Sequence, residues 1–321
     1  MKILITGGAG FLGSHLAERC LAAGHEVFAM DIARDFKVRH LLSNKKFHYI
    51  YDSIMSSEML DALTSKCDIV YHMAAIVGVE HYVANPYHVL NVNINGTQNV
   101  LRSAHKHGKK VIFTSTSEVY GKNENIPFHE ESDRVLGPTT IDRWCYSTSK
   151  AAGEHFCFAY QKMGLPIVIL RYFNVYGPRL DAIDRGRVIT IFMGRLLKNL
   201  DLSVIGDGSQ TRCFTYVSDA IEATYRAGIK PGAEGQVFNI GCDRETSMKE
   251  LAELMIKISG ASSKIKYVAK ESVYGTSYED IHRRVPDVRK MNKMLGVKAI
   301  VSLEMGLKKT INWMQKHEVG K

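Results

Sequence analysis

Short apolar runs alternate with helical spacing through the first 170 residues, and that alternation predicts strand–helix–strand units feeding a parallel sheet. The run 2–6 (KILIT) reads as a first strand and 11–23 as a helix, with further strands at 26–30, 47–51, 69–71, 111–114 and 166–171. The last of these, PIVILR, is apolar at nearly every position, as a strand covered on both faces should be. Val89, Val92, Thr97, Val100 and Leu101 fall on one face of a long helix over 85–107, and a second long helix is expected over 145–163. The fold class is therefore α/β, a doubly wound parallel sheet. Beyond Asn174 the texture changes to a Gly, Pro and charge-rich stretch. A helix near 189–198, strands near 202–205 and 212–216, a helix at 218–227 and a strand at 237–240 follow. We read residues 1–175, with 213–242 returning to it, as the sheet domain. Residues 176–212 and 243–321 read as a smaller α/β substrate domain. The tail methionines Met291, Met294, Met305 and Met314 are expected as core filler.

The glycines add chemistry to this outline. In TGGAGFLG (6–13), Gly7, Gly10 and Gly13 lie between the first strand and the first helix. Gly7 permits the tight turn, Gly10 lets the backbone approach a pyrophosphate, and Gly13 lets helix and strand pack closely. The helix amino end then meets the phosphates with unpaired N–H groups and a favourable dipole. This makes the sheet one of the Rossmann type. Asp31, about 20 residues on, can accept hydrogen bonds from a ribose diol, which favours NAD over NADP. Asp52 after the third strand can face the adenine amino group.

Further along, Tyr146 and Lys150 stand at i and i+4 on one helix face. A phenol alone is a poor base at neutral pH; a neighbouring cation favours the phenolate. The pair can then take a proton from an alcohol while hydride leaves its carbon. Thr116, at the carboxyl end of the fifth strand, can donate to the same alcohol.

Composition narrows the choice. With 45% hydrophobic and 23% charged residues the chain is neither disordered nor collagen-like, and no apolar run is long enough for a membrane helix. Lys and Arg number 42 against 33 Asp and Glu, giving a net charge of +9 that suits an acidic small molecule. The excess is spread along the chain without interleaved aromatics, so no nucleic-acid partner is expected. The six cysteines lack C-x-x-C spacing, so reduced thiols in a cytoplasm, and no metal, are expected.

Taken together, TGGAGFLG (6–13), HMAA (72–75), TSTSEVYG (114–121), YSTSK (146–150), RYFNVYGPR (171–179), GDGSQTRCFTYVSD (206–219) and FNIG (238–241) resemble the extended short-chain dehydrogenase/reductase family. Within it the match is to the nucleotide-sugar epimerases, dehydratases and decarboxylases. The resemblance implies bound NAD, a Thr116, Tyr146 and Lys150 catalytic set, transient oxidation of a sugar at C4, and a homodimer formed through the two long helices. It extends the cofactor contacts to Phe11, Leu12, Ser53, Ile54, Ala74, Ala75, Asn93, Thr114 and Tyr172. It places Tyr82, Asn174, Arg187, Arg212 and Arg284 at the nucleotide sugar.

Ser117 followed by Glu118 lacks the acid pair of the dehydratases. STSEVYG (115–121), DRWCYSTSK (142–150), QTRCF (210–214) and YGTSYEDIHRRVPDVRK (274–290) resemble the UDP-glucuronate decarboxylases. The reading is an NAD-dependent UDP-glucuronate decarboxylase giving UDP-xylose or the UDP-4-keto-pentose. Gly78-Val79 resembles the epimerases, so a UDP-hexose or UDP-glucuronate 4-epimerase is the alternative. Oxidation at C4 makes a hexuronate a β-keto acid, which loses carbon dioxide readily. Glu118 is then expected to orient the sugar or a water, and Arg212 to bind the carboxylate or donate a proton. The plainer reading of Glu118 and Arg212 is a mutual ion pair that shapes the pocket.

Overall fold

The computed structural model describes residues 1–180, 183, 186–269 and 281–318. Asp181 and residues 274–280 of the YGTSYEDIHRRVPDVRK stretch lie outside them. The chain begins with β1 (Lys2–Thr6), α1 (Phe11–Ala22), β2 (Glu26–Asp31), β3 (Phe47–Tyr51), α2 (Ser57–Lys66) and β4 (Ile69–His72). It continues with α3 (Val79–Ala84), α4 (Pro86–Lys106), β5 (Lys110–Thr116), α5 (Arg143–Lys162) and β6 (Ile167–Tyr172). The remainder is β7 (Val175–Tyr176), α6 (Val188–Leu197), β8 (Leu202–Ile205), β9 (Thr211–Cys213), β10 (Thr215–Tyr216), α7 (Val217–Ile229) and β11 (Val237–Ile240). Last come β12 (Glu245–Ser247), α8 (Met248–Ser259), β13 (Ile265–Val268) and α9 (Leu303–Glu318).

Seven strands form one parallel sheet in the order β11-β6-β5-β4-β1-β2-β3. Strand order reverses beside β1, so β1 and β4 diverge at the crevice where such sheets take their ligands. Every residue of β6 is buried, and so is every residue of β4. One core packs α1 and α7 against one face through Leu16, Ala17, Ala220 and Ala223. A second packs α2, α4 and α5 against the other through Leu60, Val100, Leu101 and Cys157. Chain chemistry sets the helix ends. Asn85 accepts from the His88 N–H ahead of Pro86 to start α4, and a Ser247–Glu250 capping box starts α8, which Gly260 ends in the left-handed region.

Two expectations change. The 212–216 strand is two strands in two sheets: β9 pairs antiparallel with β12, and β10 pairs parallel with β7. A segment with partners in two different sheets has to break, and it does so at Phe214. Met305 is half exposed on α9, where Leu307, Ile311 and Met314 form the buried face. Among the described residues no helix is long and apolar enough to cross a membrane, and no cluster of His, Cys, Asp or Glu could hold a metal.

Candidate active site

The glycine turn is built as close packing demands. Gly7 has φ +72°, and a Cβ there would lie 2.7 Å from the Ala74 nitrogen; at Gly13 it would lie 2.1 Å from the Gly7 oxygen. At Gly10 it would meet only the Gly7 oxygen, at 3.1 Å, so that flank is open for another molecule's approach. Gly10 also caps α1 with no side chain, and the first turn holds no acid, so no side chain of the helix itself covers its amino end. Asp31 ends β2 with Oδ2 accepting from Ala9 N–H and Oδ1 from Ala33 N–H, both at 2.9 Å. Burial raises its carboxyl, and these backbone donors oppose the rise. Asp52 lies beside it, its N–H donating to the Asp31 carbonyl at 3.1 Å and its Oδ1 accepting from Ser53 N–H at 2.7 Å. These residues fit a dinucleotide. Phe11 and Leu12 at the helix start would hold the pyrophosphate, and Asp31 the ribose.

Two residues expected at the cofactor also hold the protein together. Asn93 spends its amide on the protein, accepting from Ile76 N–H (2.8 Å) and donating to Ile76 O (3.2 Å) and Ser149 Oγ (3.1 Å). It fixes the loop carrying Ala74 and Ala75. The Tyr172 hydroxyl is bonded to Thr224 Oγ1 at 2.6 Å inside the core, so its ring is a packing element. Ile54 is buried against Gly96, where a Cβ would come within 2.3 Å of its Cδ1. It therefore sets how closely α4 approaches this corner.

The chemistry gathers at the end of β5. Thr116 Oγ1 accepts from Glu118 N–H at 3.2 Å as the chain turns into a short 3-10 segment, and its side chain also bonds the Tyr146 phenol. Lys150 is 4% exposed and donates from Nζ to the Thr114 carbonyl at 2.7 Å; burial pushes its ammonium down to about 8. Burial and then the Glu118 charge push the Tyr146 phenol well up, while Arg187, Thr116 and Arg284 pull it down. The cations opposing that rise thus include two arginines, where the sequence pointed to Lys150. The Tyr82 ring stacks on Tyr146, centroids 6.0 Å apart and planes at 19°.

Glu118 itself is clamped. Arg284 Nη1 is 2.9 Å from its Oε1, and Arg143 Nη2 is 3.1 Å from its Oε2. Burial alone would raise this carboxyl; Arg284 and Arg143 overcome it and hold it down to about 2. Ser147 Oγ donates to the Glu118 carbonyl at 2.7 Å, fixing the clamp to α5. The ion pair of Glu118 with Arg212, the plainer reading of the two, is not found among the described residues. Arg212 on β9 donates to the carbonyls of Thr211 (2.8 Å) and His282 (3.3 Å), and the cations at Glu118 are Arg284 and Arg143. Asn174, at φ 38°, donates from Nδ2 to the Cys213 carbonyl at 3.3 Å. Arg187 caps α6 and reaches the Tyr146 phenol through its charge.

Sequence reasoning missed Arg143 and His72. The first sits inside the quoted DRWCYSTSK motif, three residues before Tyr146, a spacing that brings both to one helix face. The second is fully buried, with Nδ1 2.8 Å from Thr6 Oγ1 and Nε2 3.0 Å from Thr97 Oγ1. Thr97 gives its proton to the Asn93 carbonyl, so Nε2 carries the imidazole proton.

A glycine turn that fits a dinucleotide, with a buried phenol, hydroxyl and ammonium gathered at the end of β5 of the same sheet, defines the class: a nicotinamide-dependent enzyme. The chain belongs to the NAD-dependent epimerase/dehydratase family, whose description matches residues 3–241, and NAD is its cofactor. It is 43% identical over 318 residues to a UDP-N-acetyl-alpha-D-glucosaminuronate decarboxylase of Bacillus cytotoxicus, covering 99% of this chain and 98% of that one. It is 35% identical to UDP-glucuronic acid decarboxylase 1 of Xenopus tropicalis, over 98% of this chain and 72% of the other. A crystal structure of a UDP-glucuronic acid 4-epimerase from Bacillus cereus, in complex with UDP-glucuronic acid and NAD, superposes with a TM-score of 0.88. That comparison has 32% identity and covers 98% and 99% of the two chains.

Proposed function

We propose that this protein is a UDP-hexuronate decarboxylase that oxidises C4 of UDP-glucuronate, releases carbon dioxide from C6, and yields UDP-xylose or the UDP-4-keto-pentose. The observation that carries the reading is the clamp: one largely buried carboxylate between two guanidinium groups, beside the Tyr146 phenol. Two guanidinium groups meeting at one carboxylate suit an acidic sugar.

NAD, when bound, supplies the hydride acceptor. Thr116 and Tyr146 hydrogen-bond the C4 hydroxyl, and Tyr146 takes its proton. Lys150, lowered by burial, sits behind this pair as a donor that loses its proton more easily than a surface lysine. Once C4 is a ketone, the C5–C6 bond breaks, its electrons enter the carbonyl as an enolate, and carbon dioxide departs. C5 then takes a proton. Arg284, at Glu118, is the cation suited to hold the C6 carboxylate, the part expected of Arg212. Glu118 orients that cation.

The second reading, 4-epimerisation, is supported by the likeness to the UDP-glucuronic acid 4-epimerase. Incubation with UDP-glucuronate and with its 2-acetamido analogue, read by product mass, decides between them. A product lighter by one carbon dioxide from either substrate supports decarboxylation. An isomer of unchanged mass from both overturns it in favour of epimerisation. The family resemblance also suggests a dimer through α4 and α5, which sedimentation would test.

A further inference from the structure

Arg179 ends the RYFNVYGPR motif, and the proposed chemistry makes no use of it. Its backbone stands at φ +66°, in the left-handed region. The other non-glycine residues found there, among the described ones, are Asn174 and Asn199, and asparagine tolerates that region better than a long side chain does. A strained residue persists only where its surroundings over-determine it, and such residues gather at functional sites.

What over-determines Arg179 is α1. His15 and Glu18 lie three apart and so share a face of that helix. Arg179 donates to both carboxylate oxygens of Glu18, from Nη1 at 2.8 Å and from Nη2 at 2.7 Å, and Nη2 also lies 2.6 Å from His15 Nδ1. His15 Nε2 is 2.9 Å from the Pro178 carbonyl, which can only accept, so the imidazole proton is on Nε2 and Nδ1 accepts from Arg179. Burial, with Arg179 beside it, pushes this imidazole down to about 4, which keeps it in that neutral form. The clasp takes in a third element, the segment that follows Asp31. Arg179 Nη1 donates to the Lys37 carbonyl at 3.3 Å, Lys37 Nζ donates to the Leu180 carbonyl at 2.8 Å, and His40 bonds Glu18.

Two of these three elements are the ones that fit NAD. The His15 ring stands edge-on to that of Phe11 at the amino end of α1, centroids 5.7 Å apart, where the pyrophosphate would be held. The segment 35–41 begins four residues after Asp31, which would hold the ribose. The third element, the 178–180 loop, follows β7 and leads toward α6.

We propose that Arg179 is a positioning residue for the cofactor: it clasps the 178–180 loop to α1 and to the segment after Asp31, and so holds the pyrophosphate and ribose contacts of NAD in register. The proposal goes beyond the decarboxylase reading and does not depend on which sugar the enzyme takes.

The test follows release of labelled NAD from the loaded protein during a chase with unlabelled NAD, at one temperature below every variant's Tm. Arg179→Met should speed release about tenfold or more, since losing one hydrogen bond to a charged group is enough for that. Arg179→Gly removes the same side chain, but glycine adopts the left-handed backbone freely, so the fold is spared while release should be as fast as in Arg179→Met. Glu18→Gln, which weakens the clasp from the α1 side, should move release in the same direction. A purely structural clasp would lower Tm and leave release at the parental rate. Parental release from folded Arg179→Gly protein, or a faster release in the Arg179 variants that Glu18→Gln does not share, overturns the proposal. Since UDP-glucuronate takes no part, a failure here is distinct from a failure of the decarboxylase reading, which shows in the product masses.

Discussion

At Tyr146 the balance of neighbours sets how tightly one proton is held. Burial and then Glu118 raise the phenol's hold on its proton, and Arg187, Thr116 and Arg284 loosen it toward the phenolate. Removing the hydroxyl leaves that pocket in place. Tyr146→Phe should therefore lower kcat about a hundredfold or more while NAD and UDP-glucuronate still bind. Turnover at the parental rate would remove Tyr146 from the chemistry. His72 gives a second test, in stability. Burial, with Lys150 adding to it, lowers its imidazole from 6.5 to about 3. The unfolded chain then binds a proton below about pH 6.5 that the native state refuses. Its contribution is present above that pH and is lost as pH falls toward 3, up to a few kcal/mol. His72→Gln should show a shallower fall in Tm from pH 6.5 to 4 than the parent; parallel curves would show that native His72 takes up its proton over the same pH range as the unfolded chain. The residues that lie within one motif, Gly7, Gly13, Thr116, Tyr146 and Lys150, were legible in the sequence because their spacing is itself the chemistry. The partner of Glu118 was not. Arg284 lies 166 positions downstream and Arg212 only 94, and no local pattern distinguishes two arginines so remote in sequence.

Elements were legible where hydrophobic period and end signals agree. The strands 47–51, 202–205 and 237–240 have the bounds read from their apolar runs, and the long helix expected over 85–107 is α4, capped by Asn85 and Pro86. The 212–216 segment defeats that reasoning, because a change of pairing partner leaves no mark on a five-residue run. So does α9, where Met305 and Met314 look alike in composition and only the helix phase separates them. The turn before α1 allows the sharpest test of an element. A methyl at Gly13 would collide with the Gly7 oxygen, whereas one at Gly10 meets the protein only at 3.1 Å, on the side left for a pyrophosphate. Gly13→Ala should lower Tm and NAD affinity together. Gly10→Ala should leave Tm within about 2 °C and weaken NAD binding about tenfold. Equal behaviour of the two variants would mean that the open flank of Gly10 does not face the cofactor.

Across the whole molecule one buried network ties the reacting helix to the sheet. Arg171 on β6 donates from Nε and Nη2 to the two oxygens of Glu154 on α5, at 2.9 and 2.6 Å. Its Nη1 donates to the Tyr120 hydroxyl at 2.9 Å and to the Glu130 carbonyl at 2.8 Å. Tyr120 passes the link to Asn239 on β11 at 2.7 Å, and the Asn239 N–H donates to Glu130 Oε1 at 2.9 Å. One guanidinium thus joins β6 and α5 to the segment after Glu118 and, through Tyr120, to β11. Since Glu154 is one turn beyond Lys150 and two beyond Tyr146, the pair fixes the rotation of α5 under the site. Breaking it strands a charge: Glu154→Gln should cost about 3–5 kcal/mol of stability by leaving Arg171 uncompensated, and Glu154→Met with Arg171→Met should recover most of that. The double variant then separates the two roles of the pair. If the network only stabilises, the recovered protein turns over at the parental rate. If it also sets the angle of α5, kcat stays depressed after Tm has returned. Tm and kcat recovering together in the double variant would remove the positioning role and leave the pair a buried structural contact.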